Sequence, residues 1–326
     1  VAPHDRTTLF AARDGLWIIG TLGAAAAPGL VRAALGAPPG PEAERAVFER
    51  LAWIYAPLLL VLPWGCAWAV REPPPGPVPD ALPWRATLDA WRNAPFRVLL
   101  VAYGIGALGA AMPATLILFY VEHVLRAAPL AEAFLGVYFV SGFAFLPMWT
   151  RVARAVGKKR AWLSAMAVNV GAFVFAAFLG PGDTVAYGLV CLVSGIGFGA
   201  GLVLPNSLVA DVADYDELRS GRRREGLYFG LWSIVTKASA AVGAAVALPA
   251  LQWAGYAAQA IDQPPEVTLA LRLLYAGVPC ACYAAGLAVA WRFPLDEPVH
   301  ALVRNALTRR AAGAPWRDPL AAGEGR

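Results

Sequence analysis

Charge is scarce in this sequence. Asp, Glu, Lys and Arg make up 15% of the 326 residues, where a soluble globular chain carries about 25%. The hydrophobic share, 59%, lies above the roughly 45–50% of soluble domains. So little charge cannot cover a water-facing surface, and so much apolar sequence excludes a disordered chain. Lysine is rarer still: Lys158, Lys159 and Lys237 are three among 27 basic residues, and the net charge of +5 is spread thinly. No basic patch for nucleic acid exists. Three histidines (His4, His123, His300) and four cysteines (Cys66, Cys191, Cys280, Cys282) form no C-x-x-C or Cys/His cluster, which excludes a zinc site and a disulfide framework. A nucleophile elbow, a P-loop and paired catalytic carboxylates are missing too, so an enzyme is not expected. The chain starts at Val1 without an initiator Met or a signal peptide, and it reads as a fragment.

What the chain has instead is long apolar stretches. A bilayer core of about 30 Å needs roughly 20 apolar residues in a helix. Eight stretches qualify: 15–36, 47–70, 97–124, 129–150, 161–180, 184–208, 227–254 and 269–293. None alternates with period 2, so a β-barrel is not expected. The prediction is an all-α integral membrane protein with eight transmembrane helices. Segments on one side of these spans carry 21 Lys and Arg against 5 on the other. That asymmetry predicts both termini in the cytoplasm of a multi-pass cell-membrane protein.

Loop lengths divide the chain further. Residues 71–95 are Pro-rich, then briefly amphipathic around Leu88 and Trp91. This central cytoplasmic loop separates two helices (1–70) from six (96–295). The tail, 296–326, is rich in Ala, Gly and Arg and is expected to be largely disordered, with a surface helix around 301–310.

Two glycine patterns carry no ligand chemistry. Gly104, Gly106 and Gly109 match G-x-G-x-x-G but lie inside a span, where close helix packing replaces dinucleotide binding. Gly197 and Gly201 read as a GxxxG helix contact.

Lys237 stands apart. It interrupts 27 otherwise uncharged residues, 227–253, ten residues from the basic side, which puts it about 15 Å deep. A buried-membrane ammonium costs about 2.5–3.5 kcal/mol even on insertion-derived scales, so it faces a wet cavity or pairs with a carboxylate. Gly230, Ser233, Ala240, Ala241 and Ala244 share or border its helix face, as a cavity wall would need. Its role is solute binding or coupling, or else a structural ion pair. No carboxylate lies at that depth in the eight spans.

Two loops add charge. The segment from Asp211 holds Asp214, Tyr215, Asp216 and Glu217, then Arg219, Arg222, Arg223, Arg224 and Glu225. Such mixed charge suits ion pairs that form and break as helix bundles rock, or a solvated loop. The basic turn Gly157, Lys158, Lys159, Arg160 follows Arg151 and Arg154. It serves as a topology anchor or as a latch on the cytoplasmic side.

The block from Asp211 to Gly226, with Lys237 twelve residues past Glu225, resembles the glycoside–pentoside–hexuronide:cation symporter family. This is the melibiose-carrier-like branch of the major facilitator superfamily. Asp5, Arg6, Thr7, Thr8 and Leu9, then Arg13, are similar to the family pattern before its fifth helix, and Phe119, Tyr120, His123 and Val124 to its seventh. The resemblance implies a twelve-helix fold of which these spans are helices 5–12. It implies alternating access, a sugar or glycoside as small-molecule solute, and no cofactor beyond a coupling Na+ or H+. That cation would bind acids outside this chain, leaving no metal site within it. Lys237, Ser233, Arg6 and Arg13 would act in solute binding and coupling. Asp211, Asp214, Tyr215, Arg222, Arg223, Glu225, Gly157, Lys158, Lys159 and Arg160 would form the cytoplasmic gate. A lysolipid or amphiphile carrier, and a non-transporting membrane sensor or assembly subunit, are the competing readings.

Overall fold

The structure, a computed structural model, describes residues 3–36, 41–70, 84–258, 260 and 262–321. Every regular element among them is helical. Six helices are long and apolar enough to cross a membrane, or seven if a pair bent by 42° forms one span. The chain is therefore a multi-pass membrane protein. Expectation and structure differ at 161–180. The helix there, α7 (Lys158–Ala176), has 19 residues, and three cations fill its first turn. The uncharged remainder, 161–176, falls short of the roughly 20 residues a span needs.

The chain divides into two compact units, residues 16–83 and residues 1–15 with 84–326. The smaller holds most of α1 (Pro3–Leu35) and α2 (Pro41–Ala69). Along α2 the surface is strongly apolar: Trp53, Leu59, Trp64 and Trp68 are each more than two-thirds exposed. A soluble monomer rarely exposes a patch of that kind; hydrocarbon is its natural surrounding.

The larger unit contains α3 (Trp84–Arg92), α4 (Ala94–Phe119), α5 (Ala131–Ala144), α6 (Leu146–Val156), α7, α8 (Thr184–Ser220), α9 (Glu225–Trp253), α10 (Pro265–Arg272), α11 (Val278–Trp291) and α12 (Glu297–Ala311). Residues 1–15 belong to it rather than to the first 70. Thr7 Oγ1 meets Ser207 Oγ on α8 at 3.0 Å, and Arg154 on α6 donates to Thr8 Oγ1 at 2.8 Å. In the central segment, 71–83 lie outside the described residues. The amphipathic stretch is α3, and Asn93 after it caps α4 by accepting from the Phe96 amide at 3.3 Å.

Close helix approach depends on small residues. A Cβ on Gly104 would lie 3.0 Å from Val235 on α9, and one on Gly109 would lie 2.6 Å from Cys282 on α11. Thus the G-x-G-x-x-G run is a packing seam of α4 against two neighbours. On α8, Gly195 and Gly199 meet α5 at Tyr138, Ser141 and Gly142, and Gly197 meets Asn169 on α7. Gly201 has nothing within 4 Å. Helix contacts therefore come from Gly195 and Gly199 against α5 and from the expected Gly197 against α7, whereas the expected Gly201 makes none.

Two cores fill the bundle. At one end Phe96, Leu99, Trp162, Leu204, Leu208, Tyr228 and Phe293 pack together. At the other, Tyr120, Phe134, Phe173, Tyr187 and Tyr275 do so. The Tyr187 and Tyr275 hydroxyls meet at 2.5 Å, and Tyr120 donates to the Ala176 carbonyl at 2.6 Å. These bonds satisfy phenols that burial would otherwise leave unpaired.

In the tail, the helix expected around 301–310 is α12, Glu297–Ala311. Asp296 caps α12 by accepting from the Val299 amide at 3.2 Å. His300, Val303 and Ala306, three residues apart, are buried on one face. Polar composition hid a narrow stripe that is sufficient to dock one helix.

Candidate functional site

At the basic end of the larger unit the two charged loops converge. Gly157 turns the corner between α6 and α7 at φ +90°, a conformation that L side chains rarely adopt. The turn places Lys158 at the first position of α7, pointing at α8. Its Nζ donates to Asp211 Oδ1 at 2.8 Å and to Oδ2 at 2.7 Å. Both side chains are buried, with exposures of 5% and 3%. Asp214 lies one turn along α8 on the same face. His300 Nε2 from α12 reaches Asp214 Oδ2 at 3.0 Å and lies 3.6 Å from Asp211 Oδ1. Three helices are thereby joined by one buried group of charges.

Coulomb attraction does not by itself make such a group stabilising, because desolvation offsets it. Removing one partner, however, strands a buried charge at a cost of about 3–5 kcal/mol. The packing of α7 against α8 at this end therefore depends on keeping the Lys158–Asp211 pair whole. Asp211, Asp214 and His300 also offer three metal-ligand atoms within 4.8 Å of one another. Against both Asp211 oxygens, though, the Lys158 ammonium already stands where a cation would.

The other expected gate residues surround this group. Arg224 makes two bonds to Asp216, 2.9 Å from Nε and 2.6 Å from Nη2. The bond to Asp216 holds the guanidinium above its ordinary pKa. Arg223 pairs with Glu225 at 2.9 Å on the surface. The Tyr215 hydroxyl donates to Asp318 at 3.2 Å, and Arg310 donates to the Glu217 and Leu218 carbonyls at the end of α8. Lys159 donates to the Phe293 carbonyl at 2.6 Å. Burial lowers its pKa, and Asp296 offsets part of that shift. Arg160 and Arg222 are exposed. Sequence reasoning missed His300, Asp318 and Arg310 because all three lie in the tail. The buried stripe of α12 was the available signal.

Lys237 has different surroundings. On α9, Tyr228, Trp232, Gly243, Ala247 and Leu251 face inward. Lys237, Ser233, Gly230, Ala240 and Ala241 are exposed on the opposite side, the small-residue face expected. No described residue hydrogen-bonds or ion-pairs with Lys237. On the inward side of α9, Trp232 packs tilted against Tyr103 with ring centroids 3.9 Å apart.

Arg13 is half-exposed and pairs with its neighbour Asp14 at 2.7 Å. Asp14 is buried, and its second oxygen has no partner among the described residues. Sequence reasoning overlooked this carboxylate by starting the first span at residue 15, whereas the apolar helix runs from Thr7. The side chain of Arg6 lies outside the described residues. No described contact joins Arg13 to Lys237.

Comparison with known proteins decides the family. The family described as MFS/sugar transport protein matches residues 1–297. The chain belongs to this family. Major facilitators are carriers, and the proteins it resembles are named as carriers too. It is 26% identical over 251 residues to an uncharacterized symporter of Synechocystis sp., covering 74% of this chain and 45% of that protein. It is 29% identical over 154 residues to the sodium-dependent lysophosphatidylcholine symporter 1 of Gallus gallus (47% and 29% of the two chains). A glucuronide carrier protein homolog of Escherichia coli is 31% identical over 183 residues, 55% of this chain and 39% of the relative. The chain thus spans less than half the length of the curated relatives it matches.

Proposed function

We propose that this chain supplies helices 5–12 of a twelve-helix, cation-coupled secondary transporter in the cell membrane, working by alternating access with both termini cytoplasmic. The observation that carries the reading is Lys237, a cation with no partner among the described residues, on an exposed face of α9. An ammonium at that depth demands water, an anion or a solute. Lys237 and Ser233 line the shared cavity, Arg13 and Arg6 lie toward its cytoplasmic mouth, and Na+ or H+ binds acids outside this chain. The Lys158–Asp211–Asp214–His300 group forms the cytoplasmic gate, closed while its charges are matched. Lys237→Ala in the full-length protein is expected to abolish coupled uptake. Wild-type uptake with unchanged cation dependence would overturn the role assigned to Lys237.

A sugar-like solute is our first reading, supported by the resemblance at Asp211–Gly226 and by the glucuronide carrier relative. A lysolipid is the second. The lysophosphatidylcholine symporters among the relatives favour it, as does a face around Lys237 of Gly, Ala and the exposed Ile234, with Ser233 as its hydroxyl. Counterflow in proteoliposomes separates the two: exchange of a labelled glycoside supports the first, and exchange of lysophosphatidylcholine alone supports the second. Exchange of neither by the full-length protein would favour a sensor.

A further inference from the structure

A groove of about 790 Å³ opens on the larger unit between α6, α7, α11 and the start of α12. One end is polar. Arg154, Lys159 and Arg160 line it, faced by Asp296 and Glu297. The three cations keep most of their donors free. Arg154 spends one Nη2 bond on Thr8, Lys159 one ammonium bond on Phe293, and Arg160 has no partner among the described residues. Guanidinium and ammonium groups offer five and three N–H donors respectively. Asp296 is occupied in part, capping α12. The lining therefore carries one surplus positive charge; burial lowers the Lys159 pKa, Asp296 offsets part of that shift and Arg160 adds to it. No side chain caps the first turn of α7 either, which favours an anion at this end.

The other end is apolar. Leu163 continues along α7 from Arg160, and Leu287 runs along α11 from Trp291, which is 72% exposed. Charged head, interfacial tryptophan and apolar trough thus follow one another into the bundle. A sugar or a free phosphate would leave the trough empty, whereas a phospholipid fills both ends.

We propose that this groove binds an acidic phospholipid of the surrounding bilayer, its phosphate held by Arg154, Lys159 and Arg160 and an acyl chain lying along Leu163, Leu287 and Trp291. The site is separate from the Lys237 face and does not depend on which solute is carried.

Native mass spectrometry of the purified protein, titrated with phosphatidylglycerol or phosphatidylcholine of matched chains, tests it. Phosphatidylglycerol is expected to be retained about tenfold more tightly, the scale of one charge-assisted hydrogen bond. Arg154→Ala with Arg160→Ala should erase that preference, while Arg304→Ala, at an exposed position elsewhere on α12, should keep it. Glu297→Gln removes an opposing charge without breaking a described bond and should widen the preference, so the idea stays testable should the double variant misfold. Equal retention of the two lipids by the wild type overturns the proposal, as does an unchanged preference in a correctly folded Arg154/Arg160 variant. Displacement of phosphatidylglycerol by millimolar inorganic phosphate overturns it as well, since that would make the ligand a soluble anion.

Discussion

Lys158 and Lys237 are the same residue in opposite circumstances. Lys158 is buried at a helix corner, with both oxygens of Asp211 around its ammonium and His300 and Asp214 behind them. Lys237 sits midway along an apolar helix, exposed on a face of small residues and without a described partner. Both cations are costly to place, and the cost is met by different means. The first is neutralised within the fold, so changing it should be felt in stability. The second has no partner among the described residues, and under the proposed function changing it should be felt in transport.

Breaking the buried group should give the largest effect. Lys158→Met leaves Asp211 buried without its cation and is expected to destabilise the protein by about 3–5 kcal/mol, read as the midpoint of detergent-solubilised thermal unfolding. Adding Asp211→Leu should recover much of that loss, because no stranded charge remains. Lys237→Ala tests the other half of the comparison. Coupled uptake by the full-length protein should fall at least about 100-fold, equivalent to roughly 2.7 kcal/mol, while the unfolding midpoint stays within the noise of a surface change. A large stability loss there would mean that Lys237 is a structural cation after all.

His300→Ala should cost about 1.5–3 kcal/mol, the scale of one hydrogen bond to a charged group. It should also release α12 to proteolysis before the rest of the bundle unfolds. Smallest of all is Arg223→Ala. Its pair with Glu225 is exposed, and such pairs contribute about 0–1 kcal/mol, so the unfolding midpoint should barely move. A loss rivalling that of Lys158→Met would erase the distinction between buried and surface charge at this end.

Hydropathy made the helices legible, since a bilayer imposes a length that only long apolar runs meet. Where cations crowd a helix start, as at Lys158, Lys159 and Arg160, that signal weakened and the count became uncertain. Both halves of the buried group were singled out from sequence, Lys158 for its basic turn and Asp211 for its acidic one. Their pairing was not legible, because 53 residues separate them and no local pattern encodes which loops meet. His300 was lost for another reason. Its helix buries a narrow stripe inside a polar segment, and average composition conceals a stripe. Asp14 shows the sensitivity of site reading to boundaries: moving one helix start back a few residues turns a loop acid into a buried carboxylate.

Arg310 gives the assembly an order in time. At the end of α8 the Glu217 carbonyl accepts from the Gly221 amide and also from Arg310, and the Leu218 carbonyl accepts from Arg310, a side chain 93 and 92 residues further along. During synthesis at about 5–20 residues per second, α8 emerges with that end open and waits roughly 5–20 s for its cap. Through that interval Gly221 and water hold the helix terminus, while α9, α10 and α11 are still being delivered to the membrane. A late helix thus closes one made much earlier, and a ribosome that stalls before α12 leaves behind a bundle whose basic end is unfinished.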